Sequence, residues 1–234
     1  MTGILTALVL AVAAPPTFED IIQTKLKDLS MTAYVITANR GELRKINNDF
    51  YVAYRFTSMS VRYKSPSKLR LDGEYTNTKI TYILNGTKKT YIIPQLKQKV
   101  TEDTKDAPGK RQSMLDFGIV DPGVAEFMKG KFVREDRATG EWVFDLEYKH
   151  PDDSSRHRVW VDPKTKVITK REWYNQEGKL RATFYHRDTK NVGGDVYLPT
   201  TIEVRNVEGK SAGTTGYRNI AVNKGNLPDS LFVP

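Results

Sequence analysis

The side chains able to do chemistry are few and scattered. Three histidines, His150, His157 and His186, stand in separate segments, outside the H-x-x-x-H and H-E-x-x-H spacings that bring two imidazoles to one helix face. A metal site or a general base would need tertiary convergence, and solvent-exposed positions are expected for the three. No G-x-S-x-G, P-loop or G-x-G-x-x-G occurs, and Gly193-Gly194 reads as a turn because no helix pattern follows to cradle a phosphate. Glu135-Asp136 and Asp152-Asp153 sit beside loops and read as solvated turn acids rather than a glycosidase couple. In KREWY, at 170–174, strand alternation puts Arg171 and Trp173 on one face, which suits cations lying over aromatic neighbours as well as it suits base stacking. The chain therefore reads as non-enzymatic, with no catalytic residue, no metal ligand set and no cofactor.

What remains is a container or a binding surface, and composition narrows its setting. The 234 residues are 38% hydrophobic, enough for one domain with a real core. Lys and Arg exceed Asp and Glu by 37 to 28, and the resulting +9 is spread along the chain. Such a field suits anionic lipid headgroups; without a recognition motif, nucleic acid is not expected as a partner. There is no cysteine, hence no disulfide, thiolate site or lipobox. Residues 1–14, MTGILTALVLAVAA, are uncharged and end in a small-x-small pattern, so they are expected to be a secretory signal. The apolar run is shorter than the roughly 20 residues a spanning helix needs. The mature chain, 15–234, is expected to be a single domain and a monomer, in the periplasm or otherwise secreted.

The elements follow from hydrophobic period. Thr17 can cap an amphipathic helix over 18–29, with Ile21, Ile22, Leu26 and Leu29 on one side. Strand patterns occupy 31–39, 48–63 and 68–72, and Asn85-Gly86 turns a hairpin between 79–84 and 88–93. A polar stretch at 102–111 reads as a surface loop. Met114 to Phe117 reads as a short turn, and Asp121-Pro122 starts a helix bearing Val124, Ala125 and Met128, which Gly130 ends. From Glu141 on the chain is nearly all strand, and Trp142, Phe144, Leu146 and Tyr148 share one face. Roughly ten strands on short turns imply an antiparallel meander, and a sheet of that size must curl. With few short helices to fill its concave side, an apolar cavity can remain.

An ordered set of motifs bears on this picture: KSPSKLRLD at 64–72, NGTKKTYIIPQLKQ at 85–98, VWVDPKT at 159–165, GGDVYLP at 193–199 and LPDSLF at 227–232. In this order they resemble the LolA/LolB-like superfamily, the outer-membrane lipoprotein-sorting proteins. The resemblance implies a mainly β fold with a few short helices, in which a curved antiparallel sheet forms an open half barrel and helices lid its concave face. It implies a carrier or binder of lipoproteins or lipids that holds acyl chains in an apolar cavity. On the matched strands Val61, Tyr63, Leu69 and Leu71, with Trp142, Phe144 and Leu146 on the other apolar face, are expected to line that cavity; Ile21, Ile22, Leu26, Val124 and Met128 are expected on the lid. The position before the strand proline holds Ser65, where the classical carrier has a lid-holding arginine. Expected partners are acylated cargo and, transiently, a membrane surface or membrane protein. The alternative is a periplasmic sensor or interaction module that recognises lipidated proteins and signals to a membrane partner.

Overall fold

The computed structural model describes residues 14–234; the expected signal at 1–14 lies, but for Ala14, outside the described residues. A short 3-10 turn, Glu19–Ile21, leads into strand β1 (Asp28–Ala38). Helices α1 (Arg40–Ile46) and α2 (Asn48–Ala53) follow, then β2 (Ser58–Lys64), β3 (Lys68–Tyr75), β4 (Thr78–Asn85), β5 (Lys88–Ile93) and β6 (Gln98–Asp103). A crossing segment carries 3-10 turns at Pro108–Lys110 and Met114–Phe117 and helix α3 (Pro122–Phe127). The second half is β7 (Met128–Glu135), β8 (Trp142–Tyr148), β9 (Arg156–Val161), β10 (Ile168–Tyr174), β11 (Leu180–Arg187), β12 (Lys190–Gly193), β13 (Val196–Leu198), β14 (Thr201–Arg205) and β15 (Ser211–Val222).

All but β12 and β13, which form a ribbon of their own, join one thirteen-stranded sheet in the order β6-β5-β4-β3-β2-β1-β15-β14-β11-β10-β9-β8-β7. The two ends of that order, β6 and β7, do not pair, so the antiparallel sheet curls without closing into a barrel. The segment 104–127 runs from one free edge to the other. The fold class expected from the sequence is thus the one observed, with more and shorter strands than the roughly ten counted by pattern.

Four local expectations are corrected. Residues 18–29 are not a helix: after the Glu19–Ile21 turn the chain extends and enters β1, where Leu29 pairs Tyr63 on one side and Val222 on the other. Ile21, Leu26 and Leu29 are fully buried all the same, packed into the core from the turn, the extended segment and the strand respectively. Residues 48–63 are not one strand. Asn39 and Asn47 cap α1 and α2, their side chains accepting from Glu42 N at 3.2 Å and Phe50 N at 2.8 Å, and these caps outweigh the strand preference of Phe50, Tyr51 and Val52. The loop read at 102–111 starts as the end of β6. Gly130 does not stop a helix but lies inside β7, where a Cβ would meet the Phe18 ring at 2.2 Å.

The core is in three parts. β1–β4, β15 and the β13 ribbon bury Met31, Val61, Leu69 and Leu198 with Met114 and Ile119. β8–β10 bury Phe144, Leu146, Val159 and Ile168 beneath Ile21, Val124 and Met128. α1 sets Leu43 and Ile46 against Ala182, Ile202, Val204 and Ala212 of β11, β14 and β15. Each fully buried aliphatic side chain contributes roughly 1.5–3 kcal/mol.

Candidate functional site: an open cavity on the concave face

The helices cover only the two ends of the curved sheet. α1 and α2 close one end over β11, β14 and β15; α3 and the Met114–Phe117 turn fill the other. Between them lies a cavity of about 1030 Å³. That is at the upper end of the roughly 300–1,000 Å³ of small-molecule sites. Its wall sets aromatic rings among polar and charged side chains, including Lys89, Glu102, Arg111, Asp116 and Asp153. Phe50 at the start of α2 meets Phe184 at 5.7 Å and Trp173 at 6.3 Å, Tyr82 meets Tyr91 edge-on at 5.2 Å, and Phe127 stacks on Tyr148 at 6.2 Å. These rings come from strands on both halves of the sheet and from helices α2 and α3.

α3 is fastened rather than loosely laid. The Tyr63 hydroxyl donates to the Asp121 carboxylate, which also accepts from Val124 N at 2.9 Å as the helix cap. Ser67 Oγ donates to Glu126 at 2.9 Å and Lys149 Nζ to the Ala125 carbonyl at 2.7 Å. Gly123 lies so close to the strand turn that a Cβ would meet the Pro66 carbonyl oxygen at 1.9 Å. Burial pushes the Asp121 carboxyl up to about 6, against the pull of its hydrogen bonds. Tyr63, two residues before Ser65, thereby ties β2 to α3.

The polar side chains of the wall come from both halves of the sheet. Arg171 stands in a cross-strand row that is otherwise apolar, Phe144, Val159, Arg171, Phe184 and Val204. It is buried, lies 4.0 Å over the Phe184 ring and donates to Asp116 at 3.2 Å. His157, in the next row between Leu146 and Trp173, is 3.4 Å from the Tyr148 hydroxyl. Near the β5–β6 edge, Glu102 pairs both Lys89 at 3.1 Å and Lys110 at 3.2 Å. The expectation of exposed histidines is corrected for two of the three: His157 and His186 are buried, and burial with Arg171 nearby holds both far below the ordinary imidazole value, His186 at about 3. Among the described residues no group of three His, Asp or Glu is placed to hold a metal, and no helix is long and apolar enough to cross a membrane.

Of the residues expected to line the cavity, Leu71 does so. Val61, Tyr63 and Leu69 share its face but are covered, in the core beside the Met114–Phe117 turn. Trp142, Phe144 and Leu146 are also concave, packed beneath α3 and Ile21. Of the expected lid residues, Ile21, Val124 and Met128 are fully buried in that same cluster, Ile22 packs against it half-buried, and Leu26 belongs to the first core. They hold the end plug together; its cavity-facing side chain is Phe127. The α2 residues, Tyr82, Tyr91 and Tyr217 were missed. Their signal was strand alternation for the tyrosines and asparagine caps for the helices.

No curated protein matches the sequence significantly. A family model described only as an uncharacterized protein matches residues 120–234. Three solved structures share the fold. An outer membrane lipoprotein-sorting protein domain from Vibrio parahaemolyticus aligns at a TM-score of 0.61 and 10% identity, over 91% of this chain and 92% of that one. A member of a domain family of unknown function from Desulfovibrio piger aligns at 0.59 and 12% identity, over 92% of each. A LolA superfamily protein from Nitrosomonas europaea aligns at 0.58 and 14% identity, over 92% of this chain and 94% of that one. The chain has the LolA-like fold.

Proposed function

We propose that the protein is a non-enzymatic carrier or binder of lipids or lipidated proteins that works outside the cytoplasm, with the acyl part of its cargo in the concave cavity. The observation that carries this reading is the cavity itself. An open volume of about 1030 Å³ is lined by aromatic rings set among polar and charged side chains. An acyl chain leaving a membrane loses roughly 0.8 kcal/mol per methylene unless apolar surface replaces the lipid. The rings and aliphatic side chains of the hollow supply such surface. The fold's likeness to a lipoprotein-sorting domain supports the same reading, as does the net charge of +9, which favours approach to anionic membranes. The test is uptake by the purified full chain of a fluorescent diacylated lipopeptide, followed by co-elution in gel filtration. A one-to-one complex is expected with the acylated peptide and none with the same peptide lacking its acyl chains. Equal retention of both would remove the acyl-binding claim.

A further inference from the structure

The cavity wall sets aromatic rings among polar and charged side chains, and several of the polar groups are unsatisfied. Among the described residues five buried side-chain nitrogen or oxygen atoms have no hydrogen-bond partner, and they belong to only four residues, Gln112, His157, Arg171 and His186. Gln112, His157 and Arg171 line the cavity. Arg171 is 4% exposed, yet its Nε bonds nothing and its one ion pair goes to Asp116. The Asp116 carboxylate is itself 40% exposed and accepts from Ser113 N at 3.1 Å, so the strap carrying it holds it in place while the guanidinium keeps donors to spare. Arg111, on the same strap and also on the cavity wall, bonds only the neutral oxygens of Thr104, at 2.9 Å each, and lies 5.1 Å over the Phe127 ring. Burial and the Asp116 and Asp153 carboxylates raise the pKa of the nearby Tyr148 hydroxyl, with Arg171 and Arg111 acting against them.

Buried donors left unmet cost roughly 1–3 kcal/mol each, more where charge is involved. A cavity built only for hydrocarbon gains nothing from an arginine in the row of Val159 and Phe184. An oxygen-rich group placed there would meet the terminal guanidinium nitrogens of Arg171 and Arg111 that Asp116 and Thr104 leave free. We propose that the cavity takes its cargo head-first, as an amphiphile whose anionic oxyacid headgroup, carboxylate or phosphate, rests against Arg171 and Arg111 while its chain runs along Trp173, Phe184 and Phe50. This assignment rests on the lipid-binding reading and specifies the class of lipid.

The test compares ligands of one chain length on the delipidated full chain at pH 7.5: palmitate, a palmitoyl lysophosphatidic acid and the uncharged monopalmitoylglycerol, each displacing an environment-sensitive fluorescent probe. At least one acid should bind about tenfold more tightly than the glycerol ester, the difference a charged hydrogen bond makes; the stronger of the two acids identifies the headgroup. Arg171→Gln should bring that acid down to the affinity of the ester and leave the ester unchanged. Arg111→Gln, at a half-exposed site, should weaken the acid several-fold, and it decides the question should the buried substitution prevent folding, as read by circular dichroism. Equal affinity of acids and ester in the unmodified protein overturns the head-first assignment and leaves the carrier reading standing. Failure of all three to displace the probe overturns the carrier reading itself.

Discussion

The residues that set this cavity apart are the polar ones, because each sits where apolar contacts surround it. His157 and His186 illustrate the consequence. Both imidazoles are held neutral, below their ordinary value of 6.5, by burial and by Arg171. Below pH 6.5 the unfolded chain therefore takes up protons that the folded chain refuses, and stability falls with pH until the folded value is reached, about 3 for His186. Asp121 acts in the opposite sense. Its folded value, about 6 against 3.8, means that the folded chain takes its proton first and gains stability as pH falls through that window. Two groups against one leave a net loss of about 1.4 kcal/mol per pH unit between pH 6 and pH 5. Urea denaturation across that range should show the slope, and His186→Leu should flatten it. A flat profile in the unmodified protein would mean that one of the imidazoles is not sealed from water, and a slope of the opposite sign that neither is.

At the scale of elements, the two ends of the sheet are closed by different devices. α1 and α2 are each six or seven residues, too short to hold alone, and depend on asparagine caps and on Leu43 and Ile46 against the sheet. Asn47→Ala should cost about 1 kcal/mol of stability, the usual value of a lost cap. Because Phe50 hangs from this helix into the cavity, lipid uptake should weaken with it; thermal melting and probe binding measured on the same variant check both. The sequence made some of these elements legible and hid others, for physical reasons. The Asn85-Gly86 hairpin and the Asp121-Pro122 helix start carry local signals that tertiary packing did not override. Residues 48–53 were hidden because aromatic and β-branched side chains read as strand while the cap that decides the matter is a single asparagine, Asn47; residues 40–47 carried no assignment. The concave face was legible from alternation in Trp142, Phe144, Leu146 and Tyr148. Which of those residues face open space was not, since that depends on where α3 and the Glu19–Ile21 turn come to rest: Phe144 is plugged, whereas Tyr148, two pleats along, lines the cavity.

At the scale of the whole molecule, the sheet stays open because its edges β6 and β7 are bridged by the strap 104–127 and not by hydrogen bonds. An unclosed sheet can hold a hollow that a closed barrel of its own side chains would fill. Leu71, on β3, lines that hollow and is half-buried at the margin of the first core cluster. Leu71→Trp should therefore fill part of the cavity, with stability changed by less than about 1.5 kcal/mol because the added bulk meets space rather than packed core. It should lower lipid uptake at least several-fold, in contrast with a large loss of stability if the site were tightly packed. The most direct measurement of the central claim is native mass spectrometry of the full chain purified gently from its own host, with organic extraction of whatever it carries. A series of added masses that dissolve into the organic phase as acyl-bearing molecules is the predicted result. A protein that emerges at its bare mass, and that stays bare after incubation with lipid vesicles, would contradict the account.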